Sequence, residues 1–412
     1  MALNSYLGQR GFVGAATEAT VGTGVAASTW LPLLSESVEV EQALIYAKLM
    51  QQLRDTSVEA PALGEAKITG KIDVPLYIDQ GLILLAQSIG SDTYQSSSAA
   101  GTAVSIGASG SGLAAGSTAI TVTTQTSTPI GANDYVQIQQ ASGAISVTNL
   151  SEVHKVTSVS GAGPYVITFS GSETLKNTYT TAGQISRIPS GTLVFTHSLN
   201  ADQPNAGTYK TVSLEINRGG LEGATSSQRV TGVIASKMTI TADTKAEVKC
   251  SYDVTGLAQA TIAASTPVFG TTSPFSLPNV TASLFGSSDT SATKLEIEID
   301  NMGKEYWTFS GSAFPQLAVP VGRKVTFKGT FIAQGMTYFT NYLAATEGAV
   351  ALTFAQGSDS VVINLPNAAI KKLGRPLKAD DLVMQDVEMG TRASGSPSIN
   401  ATVINANWLP LL

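Results

Sequence analysis

Few side chains in this sequence combine a type and a spacing that could do chemistry. It holds two histidines, His154 and His197, and a single cysteine, Cys250. A zinc site needs three or four Cys, His or carboxylate ligands, and neither histidine has a Cys or His partner at ligand spacing. His154 falls at a polar strand position, where a solvated side chain accounts for it. One cysteine can form no intrachain disulfide, so nothing argues for an oxidising compartment. Paired carboxylates could serve as the acid and base of glycoside hydrolysis, and Glu39/Glu41, Glu296/Glu298 and Asp380/Asp381 are such pairs. The first two pairs alternate along the outer face of expected strands, where solvation or an interface is the simpler role. Gly22-x-Gly24-x-x-Ala27 matches a dinucleotide fingerprint in letters only, because no hydrophobic strand precedes it. Asn279-Val280-Thr281 and Asn400-Ala401-Thr402 fit glycosylation acceptors, which matter only in a secreted eukaryotic protein. We therefore expect no catalytic residue, no cofactor and no metal.

The elements that carry these residues are more informative than the residues themselves. Between Leu63 and Gly90, Ala66, Ile68, Gly70, Ile72 and Val74 alternate with Lys67, Thr69, Lys71 and Asp73. That period of two marks a half-buried strand. After Pro75 the spacing becomes helical through Leu82, Leu85, Ala86 and Ile89, and Gly90 stops it. The same pattern returns between Val321 and Gly348. There Val325, Phe327, Gly329 and Phe331 alternate with Lys324, Thr326, Lys328 and Thr330, and Met336, Phe339 and Leu343 form a short apolar helix face. Both strands carry a central glycine, which suggests a bulge or a close backbone approach. Flanking stretches echo as well: Ser37–Glu41 resembles Leu295–Ile299 in kind, Leu193-Val194-Phe195 resembles Leu352-Thr353-Phe354, and Asp253-Val254 resembles Asp386-Val387. The chain reads as an internal duplication. Gly70 and Gly329 lie 259 residues apart but Phe195 and Phe354 only 159, so the first copy carries an insertion of about 100 residues, a small domain's worth.

Composition bounds the class. A length of 412 residues suits two to four domains, and 43% hydrophobic content is ample for packed cores. Charged residues make up only 13%, while short Val/Ile/Thr-rich runs punctuated by Gly, Asn and Pro predict a mostly-β chain. No apolar run approaches the roughly 20 residues of a membrane span. A net charge of −6 with 24 Lys and Arg argues against tight nucleic-acid binding, which needs clustered cations. The start, Met1-Ala2-Leu3-Asn4, lacks the features of a signal peptide, so synthesis in the cytoplasm is the simplest expectation.

In chain order, residues 1–28 read as an N-terminal arm. Residues 29–90 and 191–260 form the first copy, with 91–190 as an inserted small β-barrel or sandwich. Within the insert, strands are expected near 119–122, 135–138, 152–156 and 165–169. A linker spans 261–290, the second copy 291–404, and a tail 405–412. Residues 42–61 and 301–320 read as long excursions between the first and second strands of each copy, and loops of that length are usually functional or disordered. Tyr306, Trp307 and Phe314 would supply the second with aromatic anchors of the kind enriched at interfaces. Trp30–Leu34 recurs as Trp408–Leu412.

A resemblance to a known family now becomes visible. The run Gly11-Phe12-Val13-Gly14-Ala15-Ala16-Thr17-Glu18-Ala19-Thr20-Val21-Gly22-Thr23-Gly24, followed by Leu31–Ser37, resembles the opening of tail tube proteins of long-tailed (siphovirus-type) bacteriophages. Val230–Ile240, Asp300-Asn301 and the Gly329 strand resemble that family too. The resemblance implies a mostly-β fold of two tandem tail-tube-type β-sandwich domains, each with a flanking helix. It implies a structural virion protein of the phage tail, made in the host bacterial cytoplasm and not an enzyme. Its partners would be further copies of itself in stacked rings, a tape-measure protein, and tail-terminator and tail-tip proteins. DNA would cross the lumen without specific binding, and no membrane is involved. Six tail-tube domains close a family ring, so three chains of two domains should suffice.

Physical reasoning adds to that expectation. Exposed strand edges are hazards unless they pair, and a closing head-to-tail contact pairs them. Glu39, Glu41, Glu296 and Glu298 would recur as an acidic face at the lumen or at the seams, and a wall that repels phosphate lets DNA slide. If the lysines of the neighbouring strands (Lys67, Lys71) lie opposite, cross-strand pairs cancel much of that field. The rival reading is a secreted surface-layer or adhesin-type β protein, which should show an export signal. An enzyme would need a convergent polar site.

Overall fold

The computed structural model describes residues 10–45, 62–96, 104–105, 116–122, 129–140, 151–169, 175, 183–188, 195–200, 209–219, 221, 225–270, 272–357, 359–376, 382–405 and 411. The chain is mostly β, as the Val/Ile/Thr-rich runs predicted. It forms two compact units. One comprises the chain up to Asp92 with Leu199–Thr402 and Leu411–Leu412, and the other Thr93–Ser198 with Val403–Pro410.

In the first unit the elements used below are β1 (Phe12–Thr17), β2 (Glu39–Ile45), β3 (Ala62–Pro75), α1 (Leu82–Ile89), β4 (Val212–Asn217), β5 (Ser226–Asp243), β6 (Lys249–Gly256), β7 (Val280–Leu284), β8 (Ala292–Asp300), β9 (Gly303–Tyr306), β10 (Leu317–Pro320), β11 (Lys324–Ile332), α2 (Thr337–Leu343), β12 (Glu347–Gln356), β13 (Asp359–Gly374) and β14 (Met384–Thr391). Pairing reveals the duplication directly. The first copy orders its strands β2-β3-β6-β5-β4-β1, every neighbour antiparallel. The second orders them β8-β11-β14-β13-β12-β7, again all antiparallel. The register agrees as well. Gly70 stands opposite Val254, and Gly329 opposite Val387. Glu39 and Glu41 pair with Thr69 and Lys67, where Glu296 and Glu298 pair with Lys328 and Thr326. Glu39 thus corresponds to Glu296 and Glu41 to Glu298.

The two central glycines have different causes. A Cβ on Gly70 would sit 2.4 Å from the Val38 Cα and 2.5 Å from the Ser37 carbonyl oxygen, so the backbone of the preceding segment passes over it. A Cβ on Gly329 would meet the Phe331 ring at 2.4 Å, so here an aromatic lies across the gap. Alternation sends Ile68, Ile72, Val74, Cys250, Tyr252, Met238, Ile240, Ile297, Ile299, Phe327 and Phe331 into the core and leaves the other face polar. A register shift between Ala235 and Lys237 lets β5 change partners along its length. Its first part pairs with β4 and its last part with β6 and β8.

Several details differ from the sequence reading. In pairing terms the strand after the helix is β4, the counterpart of β12. The strand Phe195–Asn200, whose short Leu-x-Phe match suggested that role, is another element. Residues 12–17, read as part of an arm, form β1, with Val13 and Ala15 fully buried. Val280–Leu284, within the expected linker, forms β7. The 301–320 excursion contains the β9–β10 hairpin, while most of the 42–61 excursion lies outside the described residues.

The second unit contains a sheet in the spatial order 104–105, 183–188, 135–140, 151–160, 165–169, 119–122, with every neighbour antiparallel. The four expected strands are all among these. Ile120, Val122, Ile130, Val136, Ile138, Val156, Ile167, Phe169, Leu175 and Ile185 form its core. Asp134 is buried and accepts two hydrogen bonds from the Arg187 guanidinium, at 2.7 and 3.0 Å. His154 is not solvated, as its strand position suggested. It is buried and stacked on Phe169, with ring centroids 4.3 Å apart.

Candidate assembly interface

Three features of the first unit bear on function: a polar sheet face, a joint between the copies, and apolar groups left bare. The polar face runs across both copies, because β5 pairs with β8 and makes their sheets continuous. Glu39, Glu41, Glu296 and Glu298 all lie on it, and lysines are interleaved with them. Lys67 contacts Glu41 at 2.9 Å. Lys328 reaches Glu296 at 2.9 Å and Glu298 at 3.4 Å, and Lys237 reaches Glu298 at 3.2 Å. Burial would raise the Glu298 carboxyl, but the two ammonium groups overcome it and hold that group below its ordinary value. Asp73 behaves alike: burial opposes its charge, and Lys249 at 2.8 Å with the Ser251 and Ser35 hydroxyls lowers it. A cleft on the second copy's sheet, beside its central Gly329, is lined by Lys294, Lys328 and Lys372 together with Glu296, Asp386 and Glu388. The four glutamates thus belong to a mixed, largely paired face, because the alternation that exposes acids on one strand exposes lysines on its neighbour.

The joint between the copies is a β ladder with a buried polar lock. Lys237–Asp243 of β5 pairs residue by residue with Asp300–Lys294 of β8. At its end Asn301 is buried. Its amide donates to the Ser88 carbonyl at 3.0 Å and the Ala235 carbonyl at 3.3 Å, and its oxygen accepts from the Arg323 Nε at 2.9 Å. Ser88 is in the last turn of α1, whose carbonyls lack intrahelical partners and favour a nearby cation. The second copy therefore caps the first copy's helix.

The predicted aromatic anchors sit on the β9–β10 hairpin. Tyr306 is 46% exposed and Trp307 37%, while Phe314 is half-buried. The Trp307 indole donates to the Ala313 carbonyl at 3.2 Å and more weakly to Ala66 at 3.4 Å. The Ala66 amide also donates to Ala313, at 2.8 Å, so the hairpin of one copy rests on β3 of the other. Sequence reasoning missed Phe309, which is fully exposed beside Ser310-Gly311-Ser312. Those turn residues would have placed it at the tip. It also missed Val40 and Leu44, left bare at one end of the joined sheet, and it named Met336 and Leu343 as an apolar helix face without showing that they are left bare at the other.

Among the described residues no three or more His, Cys, Asp or Glu are grouped to hold a metal, and no helix is long and apolar enough to cross a membrane. The family model described as phage tail tube protein matches residues 8–391. Comparison with curated proteins finds no match.

Proposed function

Since this chain belongs to the phage tail tube protein family, we propose that it closes rings of three chains and that these stack into the hollow tube through which phage DNA is delivered. As a member it is a structural protein of the virion tail that assembles with itself. The observation that carries the finer reading is the β5–β8 ladder, which joins two copies of one fold edge to edge. The corresponding edges at the ends of the joined sheet are the outer side of β2 and the Gly374 end of β13, since Gly374 stands opposite Asp386 as Lys237 stands opposite Asp253. Pairing those edges between chains repeats the internal ladder. Because the contact is head to tail, it closes into a ring when the rotation per copy fits. Two copies per chain and six per ring then require three chains, and the insert appears three times in each.

The polar face with Glu39, Glu41, Glu296 and Glu298 would line the lumen. Its interleaved lysines make that wall weakly charged overall, so DNA would slide because phosphates find paired charges, not because they meet a purely acidic surface. Tyr306, Trp307, Phe309 and Phe314 would contact the next ring through the hairpin. Tape-measure, terminator and tip proteins complete the set of partners. Symmetry analysis of negatively stained or frozen tubes tests the reading. Threefold rings with approximate sixfold symmetry are expected, and rings of six whole chains would overturn the closure. Trp307→Ala should shorten or abolish tubes while the chain stays folded.

A further inference from the structure

The copies place equivalent elements in unlike surroundings, and the mismatch lies at the two ends of the joined sheet. All eight residues of α1 are buried, and none of α2 is. Met336 is 54% exposed, Tyr342 39% and Leu343 67%. The Arg375 guanidinium lies 4.2 Å over the Phe339 ring and donates to the Met336 sulfur, so it borders the same patch. At the other end Val40 is 38% exposed, whereas its counterpart Ile297 is fully buried. Leu44, Ile45 and Leu63 continue that apolar strip along β2 and the start of β3, at 45, 59 and 73% exposure. Contiguous apolar exposure of this kind marks an interaction surface.

We propose that the two patches are halves of one interface: the α2 face of one chain is covered by the β2 edge of a second copy. The internal joint supplies the template. There the end of β8 covers the end of α1 through Asn301 on the Ser88 carbonyl. Leu44 lies three residues beyond Glu41, as Asn301 lies three beyond Glu298, and Leu343 ends α2 as Ile89 ends α1. The next chain's Leu44 therefore lands at the Leu343 end of α2. At the outer contact the polar lock is replaced by an apolar one, which suits two surfaces that meet only on assembly. Charge agrees with this pairing. Glu39 and Glu65 stand exposed beside the Glu41–Lys67 pair at the β2 end, and Lys371 and Arg375 stand exposed at the α2 end, with Lys372 beside Asp386 and Glu388. The occupant is thus a second copy of this chain, joined head to tail.

The inference rests on the ring reading, and the test separates them. Leu44→Cys and Leu343→Cys are combined in the otherwise wild-type chain, since Cys250 is buried with its thiol pushed up to about 12 and contributes nothing surface-reactive. Assembled protein is treated with a short flexible bismaleimide and run on a denaturing gel. Chain-to-chain bands up to three chains are expected from the double variant and none from either single variant. Tubes or rings seen by microscopy without those bands would overturn the helix–strand contact while leaving the rings intact. Linking by Leu44→Cys alone would also overturn it, because it implies a symmetric contact. A wild-type chain that stays monomeric at all concentrations would overturn the ring reading and this inference with it. As a second arm, Leu343→Asp should leave the unfolding transition of the unassembled chain unchanged and abolish assembly. Normal tubes from that variant would likewise refute the contact.

Discussion

Helices α1 and α2 occupy the same place in two copies of one fold, yet one is entirely buried and the other is not buried anywhere. Their sequences differ accordingly. Leu82–Ile89 (LILLAQSI) is apolar on all sides, the mark of a helix enclosed by protein. Its polar members have internal partners. The Gln87 amide donates to the Lys210 and Val233 carbonyls and accepts from the Ala235 amide, while the Ser88 hydroxyl donates to the Leu84 carbonyl. Thr337–Leu343 (TYFTNYL) is apolar on one side only. A repeat conserves the pairing of strands, whereas burial depends on what stands next in line. α1 is covered by β5 and β1 of its own copy and, at its last turn, by Asn301 and Arg323 of the second copy, and in a lone chain nothing stands next in line to cover the last turn of α2 in that way. The comparison is therefore between a finished seam and an unfinished one.

The largest expected effect separates Ile297 from Val40. Truncating Ile297, fully buried at the joint, should destabilise the unassembled chain by about 2–5 kcal/mol. Val40→Ala, at the equivalent but exposed position, should fall within about 0.5 kcal/mol of wild type. Urea unfolding of the dilute chain measures both. Equal losses would mean that the β2 edge is already packed in the single chain, and the comparison would break.

Next come the central glycines. Gly70→Ala drives a methyl against the backbone of Val38 and Ser37, which cannot rotate away, so it should reach about 3 kcal/mol, the upper end of overpacking costs. Gly329→Ala meets only the Phe331 ring, a side chain able to shift, and should cost about 1 kcal/mol. A larger loss at Gly329 would show that the ring, not the backbone crossing, is the tighter constraint.

Asn301→Ala ranks third. It strips the Ala235 carbonyl of its side-chain donor, leaves the Ser88 carbonyl only the longer 3.4 Å bond from Arg323, and removes an acceptor from Arg323, at about 1–3 kcal/mol for a buried network. Leu44→Ala, three residues past Glu41 in the first copy, should be silent in the lone chain. Hydrogen exchange localises the effect, with faster exchange expected in the last turn of α1 for the Asn301 variant only.

Much of this is legible in the sequence. Alternation around Gly70 and Gly329 located both central strands, and Asp253-Val254 against Asp386-Val387 located their partners, because burial on one face forces a period of two. The Leu-x-Phe echo misled, since three residues of an apolar strand recur by chance and carry no register. β1 was hidden because Gly14, Ala15 and Ala16 pack by being small and show no apolar period. The β9–β10 hairpin was hidden because strands of four residues between Gly, Pro and aromatics look like a loop. For the site, the pairing of acids with lysines followed from adjacent alternating strands. The bare patches did not, because hydrophobicity states which residues favour burial and not which surface provides it.

The smallest expected effect lies on the polar face, where the two seams can be compared by pH. Glu298 bridges Lys237 of the first copy and Lys328 of the second, so its charge spans the internal joint. Burial disfavours that charge and the two ammonium groups favour it, with the net result that the folded carboxyl titrates below its ordinary value. A depressed folded pKa means that the contribution is fully present above the unfolded value, about 4.3 for Glu, and fades as pH falls through the folded one. Wild type should therefore lose stability on acidification below about pH 4.3, and Glu298→Gln should lose less over the same interval. At neutral pH the variant should be weaker by about 0.5–1 kcal/mol, the upper range for a partly exposed pair. Glu41 pairs with Lys67 on a highly exposed edge, so Glu41→Gln should weaken the lone chain less than Glu298→Gln does at neutral pH. Urea midpoints measured from pH 3 to 7 on the three chains decide it. If Glu41→Gln weakens the lone chain at neutral pH as much as Glu298→Gln does, the charges at the open edge are as structural as those at the closed joint.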